Sequence, residues 1–165
     1  MREPKGRSLI SIKVLVVDDS SAVRMMLTAL LRTFGISNID VEANGAQALK
    51  MIEQTKFDLV ITDVSMEPMD GIEFVRHVRS PTASGQPDLP VLILSSHSEV
   101  AILKAAVEAG STDYLTKPIN RSALLSKITS MFDRPRSVVR TDSYWGPERR
   151  RTKLGISSKK RRTRD

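Results

Sequence analysis

Residues 57–71 read FDLVITDVSMEPMDG, and this stretch decides the fold. Phe57 to Thr62 is a short apolar run containing β-branched residues, the signature of a buried strand. The run stops at Asp63. A proline-containing loop follows, and Gly71 opens a helical pattern that continues to about Arg79. A strand that ends on an acid, a loop and a helix together make one strand–helix unit.

The same unit recurs on both sides. Ile12 to Val17 (IKVLVV) reads as a strand ending at Asp18-Asp19-Ser20, with Ser20 or Ser21 placed to cap a helix whose apolar positions are Ala22, Met25, Met26, Ala29 and Leu30. Gly35 supplies its stop. Asn38 to Ala43 is a second strand, and Asn44-Gly45 leads into a helix with Ala46, Leu49 and Ile52 on one face. Val91 to Leu94 is a fourth strand, followed by Ser95-Ser96 and a helix from Glu99 to Ala109 closed by Gly110. Asp113 to Thr116 is a fifth strand, and Asn120 to Phe132 a fifth helix. Between the third helix and the fourth strand, Ser80 to Pro90 (SPTASGQPDLP) reads as loop. Five strand–helix units in succession predict a parallel sheet covered on both faces. Right-handed crossovers leave few arrangements, and the expectation is a flavodoxin-like (βα)5 doubly wound five-stranded sheet.

In such sheets ligands bind at the carboxyl ends of the strands. The residues that fall there are Asp18 and Asp19, Asp63, Ser95 and Ser96, and Lys117 just before Pro118. Three carboxylates on one edge repel one another unless a cation joins them. An all-oxygen donor set suits a hard cation such as Mg²⁺, which takes one or two carboxylates together with phosphate oxygens. A lysine ammonium and a serine hydroxyl are suited to a phosphoryl group. A carboxylate in line with the metal can be the nucleophile and form an aspartyl-phosphate. An Asp-Asp pair alone is more often a solvated turn; the weight comes from four strand-end motifs in order.

Composition narrows the classes. The chain has 165 residues, no cysteine and two histidines, His77 and His97, which removes disulfide frameworks, thiolate metal sites and multi-histidine centres. No apolar run approaches the ~20 residues that span a bilayer. The opening MREPKGRSLISIK lacks an apolar signal core, so the cytoplasm is the default location. The net charge of +7 is unevenly placed. Residues 133–165 carry 12 basic and 4 acidic residues, whereas the rest carries 14 basic and 15 acidic ones. A near-neutral body, residues 10–132, thus stands between a short N-terminal extension, 1–9, and a basic, largely disordered C-terminal tail, 133–165.

The motifs VLVVDDS, DLVITDVSMEPMDG, PVLILSS and DYLTKP resemble the receiver domain of bacterial two-component response regulators, particularly the single-domain CheY-like type, over roughly residues 10–132. The resemblance implies a phosphoacceptor rather than an enzyme that turns over a substrate. It makes Asp63 the phosphoacceptor, Asp19 a direct Mg²⁺ ligand and Asp18 one acting through water, with Ser65 giving its backbone carbonyl. Ser95 matches the switch hydroxyl, Tyr114 the aromatic switch partner and Lys117 the phosphate-contacting lysine, with a cis peptide expected at Pro118. Phosphorylation by a sensor histidine kinase or phosphotransfer protein would then remodel the face made by the fourth helix, fifth strand and fifth helix. Two departures stand out. The usual Met-Pro is Met66-Glu67-Pro68 here, so Glu67 either reaches toward the site or faces solvent; and Ser80–Pro90 is longer than usual, which reads as a tolerated insertion. A haloacid-dehalogenase-type phosphatase shares the chemistry but expects Asp-x-Asp after the first strand, which Asp18-Asp19-Ser20 lacks.

The 33 residues after the last helix are too few for an ordinary DNA-binding domain. Residues 134–151, RPRSVVRTDSYWGPERRR, hold the only tryptophan beside a run of three arginines. Arg140, Asp142, Trp145, Arg149, Arg150 and Arg151 carry the tools that read guanine: guanidinium for O6 and N7, carboxylate for N–H, and planes for stacking. This segment resembles the arginine-rich extension of CheY-like receivers that bind cyclic di-GMP and act on the flagellar motor. It implies cyclic di-GMP as a ligand and a motor or chemotaxis component as target, with the receiver in that case mainly a docking platform. Contact of the tail with nucleic acid or an anionic membrane is the alternative.

Overall fold

The computed structural model describes residues 8–96 and 99–149. After a single 3₁₀ turn at Leu9–Ser11, the elements are β1 (Lys13–Val17), α1 (Ser21–Thr33), β2 (Asn38–Glu42), α2 (Gly45–Gln54), β3 (Leu59–Asp63), α3 (Gly71–Arg79), α4 (Pro81–Ser84), β4 (Val91–Ser95), α5 (Val100–Ala109), β5 (Asp113–Thr116), α6 (Arg121–Asp133), β6 (Val138–Thr141) and β7 (Tyr144–Pro147). The main sheet has the order β2-β1-β3-β4-β5, parallel throughout. This is the flavodoxin-like doubly wound arrangement.

Alternation along the central strands sends side chains into two cores. Leu15, Val17, Val60, Val91 and Ile93 face the layer of α2, α3 and α5, where Ala48, Ile52, Phe74, Val75, Val78 and Ala106 pack. Val14, Val16, Leu59, Ile61, Leu92 and Leu94 face α1 and α6, where Leu27, Leu31, Leu124 and Ile128 pack. Covering on both faces explains why these strands read as nearly continuous apolar runs. The helix starts follow the local chemistry: side chains of Ser20, Asn44, Asp70 and Asn120 each accept from a backbone N–H three residues on. The strand ends are held by the same register. Val17 pairs with Thr62, Asp63 with Leu94 and Ser95 with Thr116, so the polar residues that follow share one edge.

Two segments differ from the sequence reading. Ser80–Pro90 is not loop throughout: Pro81 starts the short helix α4, and buried Ser84 donates its hydroxyl to the carbonyl of Val78. Gln86 accepts from the Phe57 N–H at 3.1 Å and donates to the carbonyls of Ile52 and Thr55. The segment is therefore stitched to α2 and to the entry of β3, and is more than a tolerated insertion. Within 134–151, residues 138–147 form the antiparallel hairpin β6–β7, with Arg140 opposite Trp145 and Thr141 opposite Tyr144. A two-stranded hairpin is marginal alone. Here Gly146 and Pro147 are buried, and a Cβ on Gly146 would stand 3.1 Å from the Gly110 Cα. Two glycines let the hairpin backbone press against the end of α5. Residues 150–165, including Arg150 and Arg151, lie outside the described residues, as does His97.

Candidate functional site: an acidic strand edge opposed by one lysine

The site is built on the ends of β1, β3, β4 and β5. Asp18 follows β1 and is buried at 1% exposure; Asp63 ends β3 and is 6% exposed. Asp19 is exposed. The three carboxylates bring oxygens within 4.8 Å of one another. Lys117, one residue past β5, places its ammonium 3.1 Å from Asp63 Oδ1 and 3.7 Å from Asp18 Oδ2. Its peptide to Pro118 is cis, as is Glu67–Pro68.

The surrounding backbone fixes Asp18 tightly. Its N–H donates to the Glu42 carbonyl, its own carbonyl accepts from the Arg24 guanidinium at 2.6 Å, and Oδ1 accepts from the Ser20 N–H at 2.8 Å. Oδ2 is buried and has no hydrogen-bond partner. Burial pushes the Asp18 carboxyl above its ordinary range, the charges of Asp63 and Asp19 push the same way, and the Ser20 N–H and Lys117 offset them in part. A buried oxygen without a hydrogen-bond donor beside two other carboxylates makes this cluster a candidate cation site. The donor set is all oxygen, which fits a hard divalent cation such as Mg²⁺.

The loop after β3 folds back on Asp63. The Gly71 N–H donates to the Val64 carbonyl at 2.8 Å, and a Cβ at Gly71 would lie 2.0 Å from the Asp63 carbonyl oxygen. Glycine is the residue that admits this approach. Ser65 is exposed on the loop, two residues past Asp63, while Met66 is buried and anchors it. Glu67 is exposed and makes no salt bridge among the described residues.

Ser95 ends β4, is buried, and accepts the Lys117 N–H on its carbonyl at 2.8 Å, which ties the end of β4 to the residue carrying the ammonium. Tyr114 is half-buried on β5 against the core under α5, with Lys127 Nζ 5.5 Å from its ring centre. Lys127 is itself held by Asp113 at 2.8 Å. Thus Asp18, Asp19, Asp63, Ser95 and Lys117 gather on one edge. Tyr114 lies two residues deeper along the strand, opposite Ile93.

The tail residues gather elsewhere, at the opposite end of the sheet, where the segment before β4 meets the end of α5. Trp145 Nε1 donates to Asp88 at 2.6 Å, Arg140 lies 3.6 Å from the same carboxylate, and the Arg140 guanidinium sits 4.1 Å from the Trp145 ring centre. Arg149 lies 3.8 Å from the Tyr144 ring centre and donates to the Glu108 carbonyl. Asp142 is exposed in the hairpin turn. A cleft of about 360 Å³ between hairpin and α3 is lined by Arg76, Glu108, Asp142 and Tyr144 among others. Sequence reasoning missed Arg24, Asp88 and Arg79. Arg79 is 5% exposed and donates to the carbonyls of Gly110, Pro87 and Leu89; burial lowers it to about 10, still charged at neutral pH. Nothing in the local pattern distinguishes it from a solvated arginine at a helix end.

A doubly wound sheet whose carboxyl edge carries three acids opposed by one lysine defines an α/β protein with a candidate cation site at that edge. The family model "Response regulator receiver domain" matches residues 14–129, and the chain belongs to that family. The chemotaxis protein CheY-3 of Vibrio cholerae is 32% identical over 124 residues, covering 75% of this chain and 94% of that protein. The response regulator MprA of Mycobacterium bovis is 37% identical over 125 residues, but the chain spans only 52% of its length. Among solved structures, the chemotaxis protein CheY4 of Vibrio cholerae superimposes with a TM-score of 0.64 at 33% identity over 71% of this chain and 95% of that one. The receiver domain of the Francisella response regulator 1452 gives 0.67 at 28% identity, over 75% and 98%. CheY-like receivers act as phosphoacceptors with Mg²⁺-dependent phosphorylation and dephosphorylation rather than as enzymes in the ordinary sense.

Proposed function

We propose that this chain is a phosphorylation-switched receiver, spanning residues 10–132, that works in the cytoplasm and takes a phosphoryl group on Asp63 from the phosphohistidine of a sensor kinase or phosphotransfer protein. The observation that carries this reading is the pairing of a nearly buried Asp63 with Lys117 at 3.1 Å, beside the Asp18 oxygen that lacks a hydrogen-bond partner. A carboxylate oxygen of Asp63 forms the new P–O bond while the P–N bond to the donor histidine breaks. Asp18, Asp19, Asp63 and the Ser65 carbonyl are the groups that would hold Mg²⁺. When bound, the ion supplies neutralisation of the charge on the transferring oxygens. Lys117 faces the added phosphoryl oxygens as a fixed positive charge. The Ser95 hydroxyl moves toward them, Tyr114 follows into the space released, and the face of α5, β5 and α6 changes population. That face meets the downstream protein, a chemotaxis or motor component.

The test is Mg²⁺-dependent incorporation of label from a small phosphodonor such as acetyl phosphate. Wild type takes up label, Asp63→Asn does not while retaining its circular dichroism, and Lys117→Ala is slowed by about a hundredfold, the typical size for one electrostatic contact in phosphoryl or acyl transfer. Equal labelling of Asp63→Asn removes the assignment.

A second reading concerns the hairpin. Arg140 stacked on Trp145 and Arg149 stacked on Tyr144 form two guanidinium-over-ring ledges. Such ledges favour cyclic di-GMP as a second input, since a guanine can stack on one and hydrogen-bond to another arginine. Under this reading Asp142, Arg150 and Arg151 complete the ligand's contacts and the receiver serves as the platform. Nucleic acid or an anionic membrane would instead bind by phosphate charge alone and weaken steeply with salt.

A further inference from the structure

The groups with which the hairpin would take a phosphate-bearing ligand are already occupied by one carboxylate. Asp88 accepts from Trp145 Nε1 at 2.6 Å and faces the Arg140 guanidinium at 3.6 Å. The Arg140 guanidinium in turn sits over the Trp145 ring, 4.1 Å from its centre. One acid thus orients an indole and a guanidinium into a single ledge. Asp88 comes from the segment before β4, so the contact also fastens the hairpin to the body. It is an open contact: the Arg140 side chain is 63% exposed and that of Asp88 52%. Exposed ion pairs contribute little and exchange readily. A phosphodiester can set both of its free oxygens against the guanidinium and accept two parallel N–H bonds, whereas Asp88 faces Arg140 through one oxygen at 3.6 Å.

We propose that Asp88 is a built-in counter-ion of the hairpin's ligand site. In the free protein it holds Arg140 and Trp145 in place; a nucleotide displaces it by giving a phosphate to Arg140 and stacking a base on the exposed side of the guanidinium. Asp88 therefore sets the affinity threshold for the ligand, preorganising the ledge while competing for its charge. This inference rests on the reading that the hairpin takes a nucleotide. It adds a residue that the ligand-reading pattern does not contain and a reason why the ledge keeps its shape when empty.

The 165-residue chain carries one tryptophan, so emission from Trp145 follows the ledge directly. Cyclic di-GMP, cyclic di-AMP and inorganic pyrophosphate are titrated calorimetrically and by that emission into wild type, Asp88→Asn and Arg140→Ala. Asp88→Asn keeps an acceptor for the indole N–H but removes the competing charge. It should bind cyclic di-GMP about three- to fivefold more tightly than wild type, in line with the loss of one exposed ion pair. Arg140→Ala should lose binding, and pyrophosphate should bind more weakly than the nucleotide. If wild type binds and Asp88→Asn binds equally or less well, Asp88 is no competitor and the inference falls while the nucleotide reading stands. If pyrophosphate matches the nucleotide, the stacked base is wrong and the proposal falls with it. If neither wild type nor Asp88→Asn binds cyclic di-GMP, the nucleotide reading itself fails, and the inference with it.

Discussion

At the residue scale the decisive group is Asp18. Its Oδ2 is buried without a donor, and burial first of all raises its carboxyl pKa above the unfolded value of 3.8. A raised folded pKa means that the native state holds this proton more tightly than the unfolded chain. The associated stability is complete below the unfolded pKa and is lost as pH rises through the folded one. At neutral pH the ionised Asp18 is therefore a cost to the metal-free protein. Asp18→Asn keeps the acceptor for the Ser20 N–H and removes the charge. It should raise the melting temperature in EDTA at pH 7 by about 2–4 °C, roughly 1 kcal/mol, with the difference shrinking toward pH 4. Mg²⁺ should stabilise wild type and barely shift the variant, since only binding to the native state adds stability. Scanning calorimetry across pH with and without Mg²⁺ reads both; an Asp18→Asn protein that melts below wild type at pH 7 in EDTA would mean that the Lys117 contact outweighs burial. The sequence made Asp18, Asp63 and Lys117 visible because each interrupts or follows an apolar strand. It could not show the missing donor at Oδ2, the Arg24 bond to the Asp18 carbonyl, or buried Arg79, because these depend on distant backbone brought near by folding.

At the element scale the five strand–helix units were legible from periodicity, with Ser20 or Ser21 marking one helix start; the structure adds caps at Asn44, Asp70 and Asn120. The segments that escaped were α4 and the β6–β7 hairpin. Prolines and glycines mark turns, and four helical residues after Pro81 leave no periodic trace. The hairpin has too few apolar residues to announce a buried face. It exists because Gly146 can lie against Gly110 and because Arg79 builds a floor of satisfied carbonyls beneath it. A Cβ at Gly146 would meet the Tyr144 hydroxyl at 2.8 Å and Gly110 Cα at 3.1 Å. Gly146→Ala should accordingly undock the hairpin, shifting Trp145 emission toward that of exposed indole. Global stability should fall by only about 1 kcal/mol, the usual scale for a mutation outside the main core. Unchanged emission would mean that the hairpin tolerates the methyl group and is held mainly by its polar contacts.

At the scale of the whole molecule, two ends of one sheet carry different chemistry. The acidic edge gathers Asp18, Asp19 and Asp63 around a single lysine, while the opposite end carries the arginines of the hairpin. The charge division was plain in the sequence, since the excess of positive charge belongs to residues 133–165. Its meaning was not, because a basic segment with no core of its own reads as solvated chain until the body gives it a surface. α5 joins the two ends: it starts beyond Ser95 and finishes at Glu108 and Gly110 under the hairpin. Under the proposed function, phosphoryl chemistry takes place on Asp63 rather than on its acidic neighbours. The decisive experiment is to phosphorylate the 165-residue chain with acetyl phosphate and Mg²⁺, trap the acyl phosphate by reduction with borohydride, and map the modified residue by peptide mass spectrometry. One modified residue, Asp63, is expected, with no modification when Mg²⁺ is chelated. Modification at Asp18 or Asp19, or labelling that ignores Mg²⁺, would contradict the proposed function.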